Sequence, residues 1–147
     1  MMKKEIALEL NQYLANIGVS YIKLHNLHWN VVGKDFKAVH EYLETLYDAF
    51  AGVLDGVAEL LKMGGSTPLA SMKEYLEVAS IQELASEKIK TSDALEVVLS
   101  DMKILKAQAE SIRSAAIEED DYSIVNIMEN DLKEYSKTIW FLSAMLK

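Results

Sequence analysis

The chain has 147 residues, 50% of them hydrophobic, and a formal net charge of −8 at pH 7. This length predicts one domain spanning residues 1–147, and the absence of cysteine excludes disulfides, thiolate catalysis and cysteine-based zinc sites. The acidic balance argues against nucleic acid as the main partner, because phosphate binding depends on lysine and arginine. No run approaches the roughly 20 apolar residues of a membrane span, so we expect a cytoplasmic protein without membrane attachment.

The first predicted helix runs from about Lys3 to Val31. Its apolar residues alternate at spacings of four and three, which indicates one continuous buried seam: Leu10, Leu14, Ile17, Tyr21 and Leu24. The next position on this seam is His28, so its imidazole is expected to face inward. A lone inward histidine is more often a hydrogen-bonded core residue than a metal ligand, because burial without a partner is costly.

Gly33 marks a turn, and Asp35 is predicted to be the N-cap or a first-turn acid of a second helix. This helix is expected to end near Met63, because Gly64–Gly65 stop it and Pro68 prevents its continuation. At 100° per residue its apolar residues fill one sector: Phe36, Val39, Leu43, Leu46, Phe50, Val53 and Val57.

The neighbouring sector of the second helix carries His40, Glu44, Asp55 and Glu59. An aspartate and a glutamate four residues apart are usually just a solvated face. Together with the imidazoles of His40 and the inward His28, however, these carboxylates form a ligand set that suits iron, manganese or zinc. The sequence therefore predicts a metal site on this side of the helix.

One chain cannot close this site. His40 and Asp55 are fifteen residues apart, which separates them by about 22 Å along a helix. Pairing the helix antiparallel with its copy, about a two-fold axis near Ala49–Phe50, brings His40 to Glu59 of the partner subunit and Glu44 to Asp55 of the partner subunit. The face near this axis carries small residues that would allow close approach: Ala51, Gly52 and Gly56.

The rest of the chain predicts a short helix at Ser71–Ala79, a connection to Lys90, and two further long helices. Thr91 or Ser92 is expected to cap the third, whose seam is Leu95, Val98, Met102, Leu105, Ala109, Ile112 and Ala116. The last seam is Ile124, Met128, Leu132, Tyr135, Ile139, Leu142 and Leu146. Four long seams with one long crossover predict an all-α four-helix bundle with a short extra helix in the crossover.

The pattern H-N-L-H-W-N at His25–Asn30 is followed by Gly33, Phe36, His40, Glu41, Glu44, Tyr47, Asp55 and Ala58–Glu59, and later by Lys73–Ile81 and Lys137–Trp140. Over nearly the whole chain this resembles the Dps family of miniferritins, within the ferritin-like superfamily. The resemblance implies a hollow dodecamer that oxidises Fe(II), typically with hydrogen peroxide, and stores ferric mineral. It implies iron ligands His28, His40 and Glu44 from one subunit, with Asp55 and Glu59 from its neighbour.

Residues beside the expected centre have two interpretations. His25 lies one turn before His28 and is expected to orient a ligand or a water molecule. Trp29 and Tyr47 are expected mainly to pack in the core, with electron donation as the alternative.

The family resemblance also implies an acidic pore at the three-fold axis and, in several members, DNA-binding tails. The pore candidates form one acidic run, for which an ordinary solvated turn is the equal alternative: Glu118, Glu119, Asp120 and Asp121. Only Lys3 and Lys4 precede the first helix, and Lys147 follows the last seam. We therefore expect neither direct DNA binding nor nucleoid association.

These features favour a bacterial ferroxidase and iron-storage miniferritin that uses hydrogen peroxide or dioxygen as oxidant. One alternative is a non-catalytic DNA-compacting shell protein of the same architecture. Another is a helical interaction module with a structural zinc site.

Overall fold

A computed structural model describes residues 1–147. Its helices are α1 (Lys4–Asn30), α2 (Phe36–Met63), α3 (Met72–Val78), α4 (Thr91–Glu118) and α5 (Tyr122–Met145). Two short strands, β1 (Val31–Val32) and β2 (Ile89–Lys90), follow α1 and precede α4. None of the helices combines the length and the hydrophobicity that crossing a lipid bilayer requires.

The four long helices form the predicted bundle, and α3 is the extra helix in the crossover between α2 and α4. The hairpin α1–α2 packs on the hairpin α4–α5 mainly through contacts between α1 and α4. The helices α2 and α5 touch each other only sparsely, so a groove remains between them. The all-α bundle prediction is confirmed.

Most of the predicted seams form the core. Every residue of the α4 seam is buried, as are Leu10, Leu14 and Ile17 of α1. In α2, Phe36 is 41% exposed and lies outside the core that the sequence assigned to it. In α5 the structure buries Asp131 and leaves Leu132 only partly buried, because the Asp131 carboxylate accepts a hydrogen bond from the buried Tyr13 hydroxyl.

The junctions around α1 and α4 differ from the prediction. The first helix ends one residue early, at Asn30, and Val31 pairs with Ile89 in a short parallel ladder. Asp35 holds the N-cap position of α2 without a capping hydrogen bond. Its carboxylate instead accepts a hydrogen bond from the Thr91 hydroxyl. Thr91 is the first residue of α4 and not its cap. Lys90 takes the N-cap position and makes no side-chain capping hydrogen bond.

Gly33 makes this close junction possible. Its φ of +149° is rarely adopted by residues with a side chain, and a Cβ there would lie 2.9 Å from the Thr91 hydroxyl oxygen. The turn thus holds the start of α2 against the start of α4, directly beyond the histidines of α1.

Side-chain amides on α1 hold the crossover, residues 64–90, against the bundle. Asn11 donates to the carbonyl of Thr67 and accepts from the amide of Leu69, and Gln12 donates to the carbonyl of Val78. The buried Asn16 accepts from the amides of Ser80 and Ile81, and Asn26 donates to the carbonyls of Leu84 and Ala85. Backbone groups of the crossover that have no helix or sheet partner are satisfied in this way.

Candidate metal centre

The centre begins with two histidines that bind each other's backbone. His28, in the last turn of α1, and His40, in the second turn of α2, stack with ring centroids 3.7 Å apart and an angle of 12° between planes. The Nδ1 atom of each ring lies 2.7 Å from the backbone oxygen of the other residue. The His28 carbonyl is one of the last in its helix, so it has no obligatory partner within α1.

This pairing determines where the protons sit. A carbonyl oxygen can only accept a hydrogen bond, so both Nδ1 atoms must be protonated donors. In each neutral ring the Nε2 atom then carries the lone pair. Because metal-binding histidines commonly donate their other N–H to a carbonyl or carboxylate, both imidazoles are preset in the tautomer that binds a metal.

A carboxylate faces one of these lone pairs. The Glu44 Oε1 atom lies 3.8 Å from His28 Nε2, beyond hydrogen-bond range. His28 is 6% exposed, whereas Glu44 is open to solvent. Two electron-rich atoms at this distance leave room for a cation between them, since two ligands each about 2.1 Å from one metal ion lie roughly 3–4 Å apart. The residues present therefore fit an iron ion.

The remaining carboxylates lie far along the same helix. Asp55 and Glu59 are exposed on α2, about 22 Å and about 28 Å from His40 by helix rise. Within one chain no three histidine, aspartate or glutamate side chains converge closely enough to hold a metal ion. The structure thus stacks His28 on His40 and places Glu44 near His28, and leaves Asp55 and Glu59 farther along the helix.

The surface of α2 between His40 and Glu59 has room for close contact with another helix. A methyl group built on Gly52 or Gly56 would meet no atom of the chain within 4 Å. Glycine within a helix costs roughly 1 kcal/mol relative to alanine. No contact within the chain therefore explains these two glycines.

A cluster of rings borders the two histidines. His25 donates from Nδ1 to the Tyr21 carbonyl at 2.7 Å and stacks on Tyr47 with centroids 3.7 Å apart. The Tyr47 ring in turn meets the edge of His28 at 5.2 Å. His25 thus touches the centre through Tyr47, a link that the sequence missed; only the four-residue spacing between Tyr21 and His25 could have suggested part of it.

Trp29 is not a core residue, contrary to the expectation from sequence. It is 68% exposed, and its ring lies 5.5 Å from that of His25. Tyr47 is partly buried, and this burial, followed by the charges of Glu44 and Asp48, raises the pKa of its phenol.

Comparison with known proteins agrees with the fold. Residues 7–147 match the family described as "Ferritin-like domain". DNA protection during starvation protein 2 of Bacillus anthracis is 34% identical over 145 residues, which cover 99% of each chain. The chain belongs to the Dps family of ferritin-like proteins.

Other Dps-like chains are similar in sequence and structure. Antigen TpF1 of Treponema pallidum is 39% identical over 140 residues, covering 95% of this chain and 78% of that one, and its crystal structure superposes with a TM-score of 0.95. The Dps protein of Vibrio cholerae is 30% identical with a TM-score of 0.94, covers 98% of this chain and 90% of its own, and is described as a ferritin-like diiron-carboxylate protein. The chain is thus similar over nearly its whole length to these ferritin-like proteins.

The acidic run of this Dps chain is partly occupied by contacts within the chain. Glu119 forms a salt bridge of 2.7 Å with Lys3, and the Asp121 side chain caps α5 by accepting from the amide of Ile124. Asp120 adopts a positive φ of 52° in the turn. Glu118, the last residue of α4, makes no side-chain hydrogen bond or salt bridge, so among the four pore candidates it has the fewest competing partners.

Proposed function

We propose that this Dps protein oxidises Fe(II) at centres shared by two subunits and stores the ferric product inside a hollow dodecamer in the bacterial cytoplasm. In each centre His28, His40 and Glu44 of one subunit would act with Asp55 and Glu59 of the partner subunit. Iron is the substrate as well as the stored product, and hydrogen peroxide or dioxygen is the oxidant. The activity would protect the cell from oxidative damage.

The observation that carries this proposal is the His28 Nε2 atom facing the Glu44 carboxylate at 3.8 Å, while Nδ1 of the same ring binds the His40 carbonyl. A metal cation between the two atoms would be bound by both of them. Imidazole and carboxylate together are typical ligands of Fe(II) in oxidising enzymes. The histidine pair is held by backbone bonds on both sides, so the ligands are already oriented before iron arrives.

The charge of the centre favours oxidation. Anionic carboxylate oxygens stabilise Fe(III) more than Fe(II), because the attraction grows with the charge of the ion. Two Fe(II) ions each give one electron to hydrogen peroxide, whose O–O bond breaks as two protons are taken up and two water molecules form. Because both electrons are transferred, no hydroxyl radical is released.

The direct test loads the protein with Fe(II) without oxygen and then adds hydrogen peroxide. We expect rapid near-ultraviolet absorbance from ferric-oxo species, with about two Fe(II) consumed per peroxide. Glu44→Gln should slow this oxidation at least about 10-fold, since it removes one anionic ligand.

A matched control is Glu41→Gln, which changes an exposed carboxylate of the same helix that pairs with Lys37 and should leave the oxidation rate unchanged. Tight zinc binding without any ferric absorbance would contradict the proposal and favour the zinc-bound interaction module.

A second candidate function, compaction of DNA without catalysis, rests on the names of relatives such as the starvation protein of Brevibacillus brevis, 34% identical over 142 residues. With a net charge of −8 and Lys3 already paired with Glu119, we expect no retardation of plasmid DNA in a gel shift at about 0.15 M salt. A retarded complex that dissolves only as salt is raised would contradict this expectation.

A further inference from the structure

The sparse contact between α2 and α5 leaves a groove of about 420 Å³, within the size range of small-molecule sites. Its walls are mainly apolar and include four aromatic rings: Tyr42, Phe50, Tyr135 and Phe141. Asp131 also lines the groove, although its residue surface is only 8% exposed. A carboxylate thus lies at the base of a largely aromatic groove.

The hydrogen bonds around Asp131 occupy only one of its oxygens. The Tyr13 hydroxyl donates to Asp131 Oδ2 at 2.7 Å, and because this hydroxyl has a single proton, the Tyr135 hydroxyl must donate to Tyr13 at 2.6 Å. No side chain or backbone group of the protein donates to Oδ1, and no lysine or arginine forms a salt bridge with Asp131.

An ionised carboxylate in this position is energetically unfavourable. Burial raises the pKa of Asp131 to about 6, even though the bond from Tyr13 acts in the opposite direction. At neutral pH the carboxylate is therefore charged and lacks a cationic partner. Binding sites often keep such a locally destabilising group because a ligand compensates for it.

We propose that this groove binds an organic ammonium ion with an apolar body, its nitrogen donating to Asp131 Oδ1 and its hydrocarbon part lying against the aromatic walls. Aromatic faces attract cations as well as apolar groups. The groove already shows such a contact, since Lys137 Nζ lies 5.6 Å from the centre of the Phe141 ring.

The surrounding charges support an organic cation rather than a metal ion. Glu134 and Lys137 both line the groove and carry opposite charges, so Asp131 provides its net negative charge. Hard metal ions prefer several oxygen ligands, whereas here one free carboxylate oxygen faces mostly hydrocarbon. A primary amine on a short alkyl or arylalkyl chain matches both the charge and the walls.

Calorimetric titration of the assembled protein with n-hexylammonium at pH 8 tests the proposal, with n-hexanol as a neutral ligand of similar shape. We expect the ammonium ion to bind at least about 10-fold more tightly than the alcohol, because a charge-assisted bond in a partly buried site exceeds a neutral one. Asp131→Asn should remove this preference and leave any binding of hexanol unchanged.

Glu134→Gln is the matched control, because it removes a carboxylate of the same groove but leaves Asp131 intact. It should reduce hexylammonium affinity by less than about 3-fold. Equal binding of ammonium and alcohol, no binding of either, or an Asp131→Asn variant that keeps the preference would each overturn the proposal. Iron oxidation by Asp131→Asn should match the unmodified protein, which separates this site from the metal centre.

Discussion

His40→Ala and Glu59→Ala are each expected to lower the rate of Fe(II) oxidation by at least about 100-fold, because each removes a proposed iron ligand. Neither change should prevent folding, since Glu59 is exposed and His40 is only partly buried. Stopped-flow absorbance after peroxide addition measures this loss.

The two inactive variants should regain activity when they assemble together. If the centres are shared, a mixed pair has one centre that carries both substitutions and one centre that carries neither. Random mixing makes half of all pairs mixed, and half of their centres are intact, so about a quarter of the original activity should return. The two chains can be unfolded together, refolded, and compared with each variant refolded alone.

A control combines His40→Ala with His28→Ala, which both affect the same half of the centre. Every mixed pair then lacks an intact centre, and no activity should return. If His40→Ala and Glu59→Ala also fail to complement each other although mixed assemblies form, the ligands do not cross the interface.

Asp131→Asn is expected to stabilise the protein at neutral pH. The folded-state pKa of about 6 lies above the ordinary aspartate value of 3.8. The stability associated with this group is therefore fully present below the unfolded-state pKa and is lost as the pH rises through about 6. A pKa shift of this size lowers the free energy of unfolding by about 3 kcal/mol at pH 8. Asparagine stays neutral and so avoids this loss.

Urea unfolding at constant protein concentration, at pH 8 and at pH 4, measures the effect. The variant should gain about 3 kcal/mol at pH 8 and less than about 1 kcal/mol at pH 4. Glu134→Gln, one turn further along α5, should show no such pH-dependent difference. A variant destabilised at both pH values would mean that Asp131 is stabilising as an ion and that its burial carries no penalty.

The shared sector of the candidate metal ligands on α2 was predictable because one helix determines their directions. His40, Glu44, Asp55 and Glu59 share a sector by helical periodicity alone, and the length of the helix shows that they cannot meet within one chain. The reciprocal bonds between His28 and His40 were not predictable. They depend on how α1 and α2 approach each other and on a carbonyl left free at the end of α1.

The buried face of α5 could not be predicted in full from periodicity. Residues 131 and 132 both fall near the inward seam, and hydrophobicity alone favours Leu132. The structure instead buries Asp131, since Tyr13 on α1 supplies a hydrogen bond. A partner 118 residues away in sequence cannot be recognised from local periodicity.

The side-chain amides of α1 that bind the crossover allow its amino-acid sequence to change. The hydrogen bonds to that segment from Asn11, Gln12 and Asn26 all end on main-chain atoms. Every residue type has the same backbone carbonyl, and every type except proline has the same backbone amide. The path of the crossover can therefore persist while most of its side chains are exchanged. Surface residues there are free to diversify, or to be redesigned to display a new epitope, while the bundle beneath keeps its architecture.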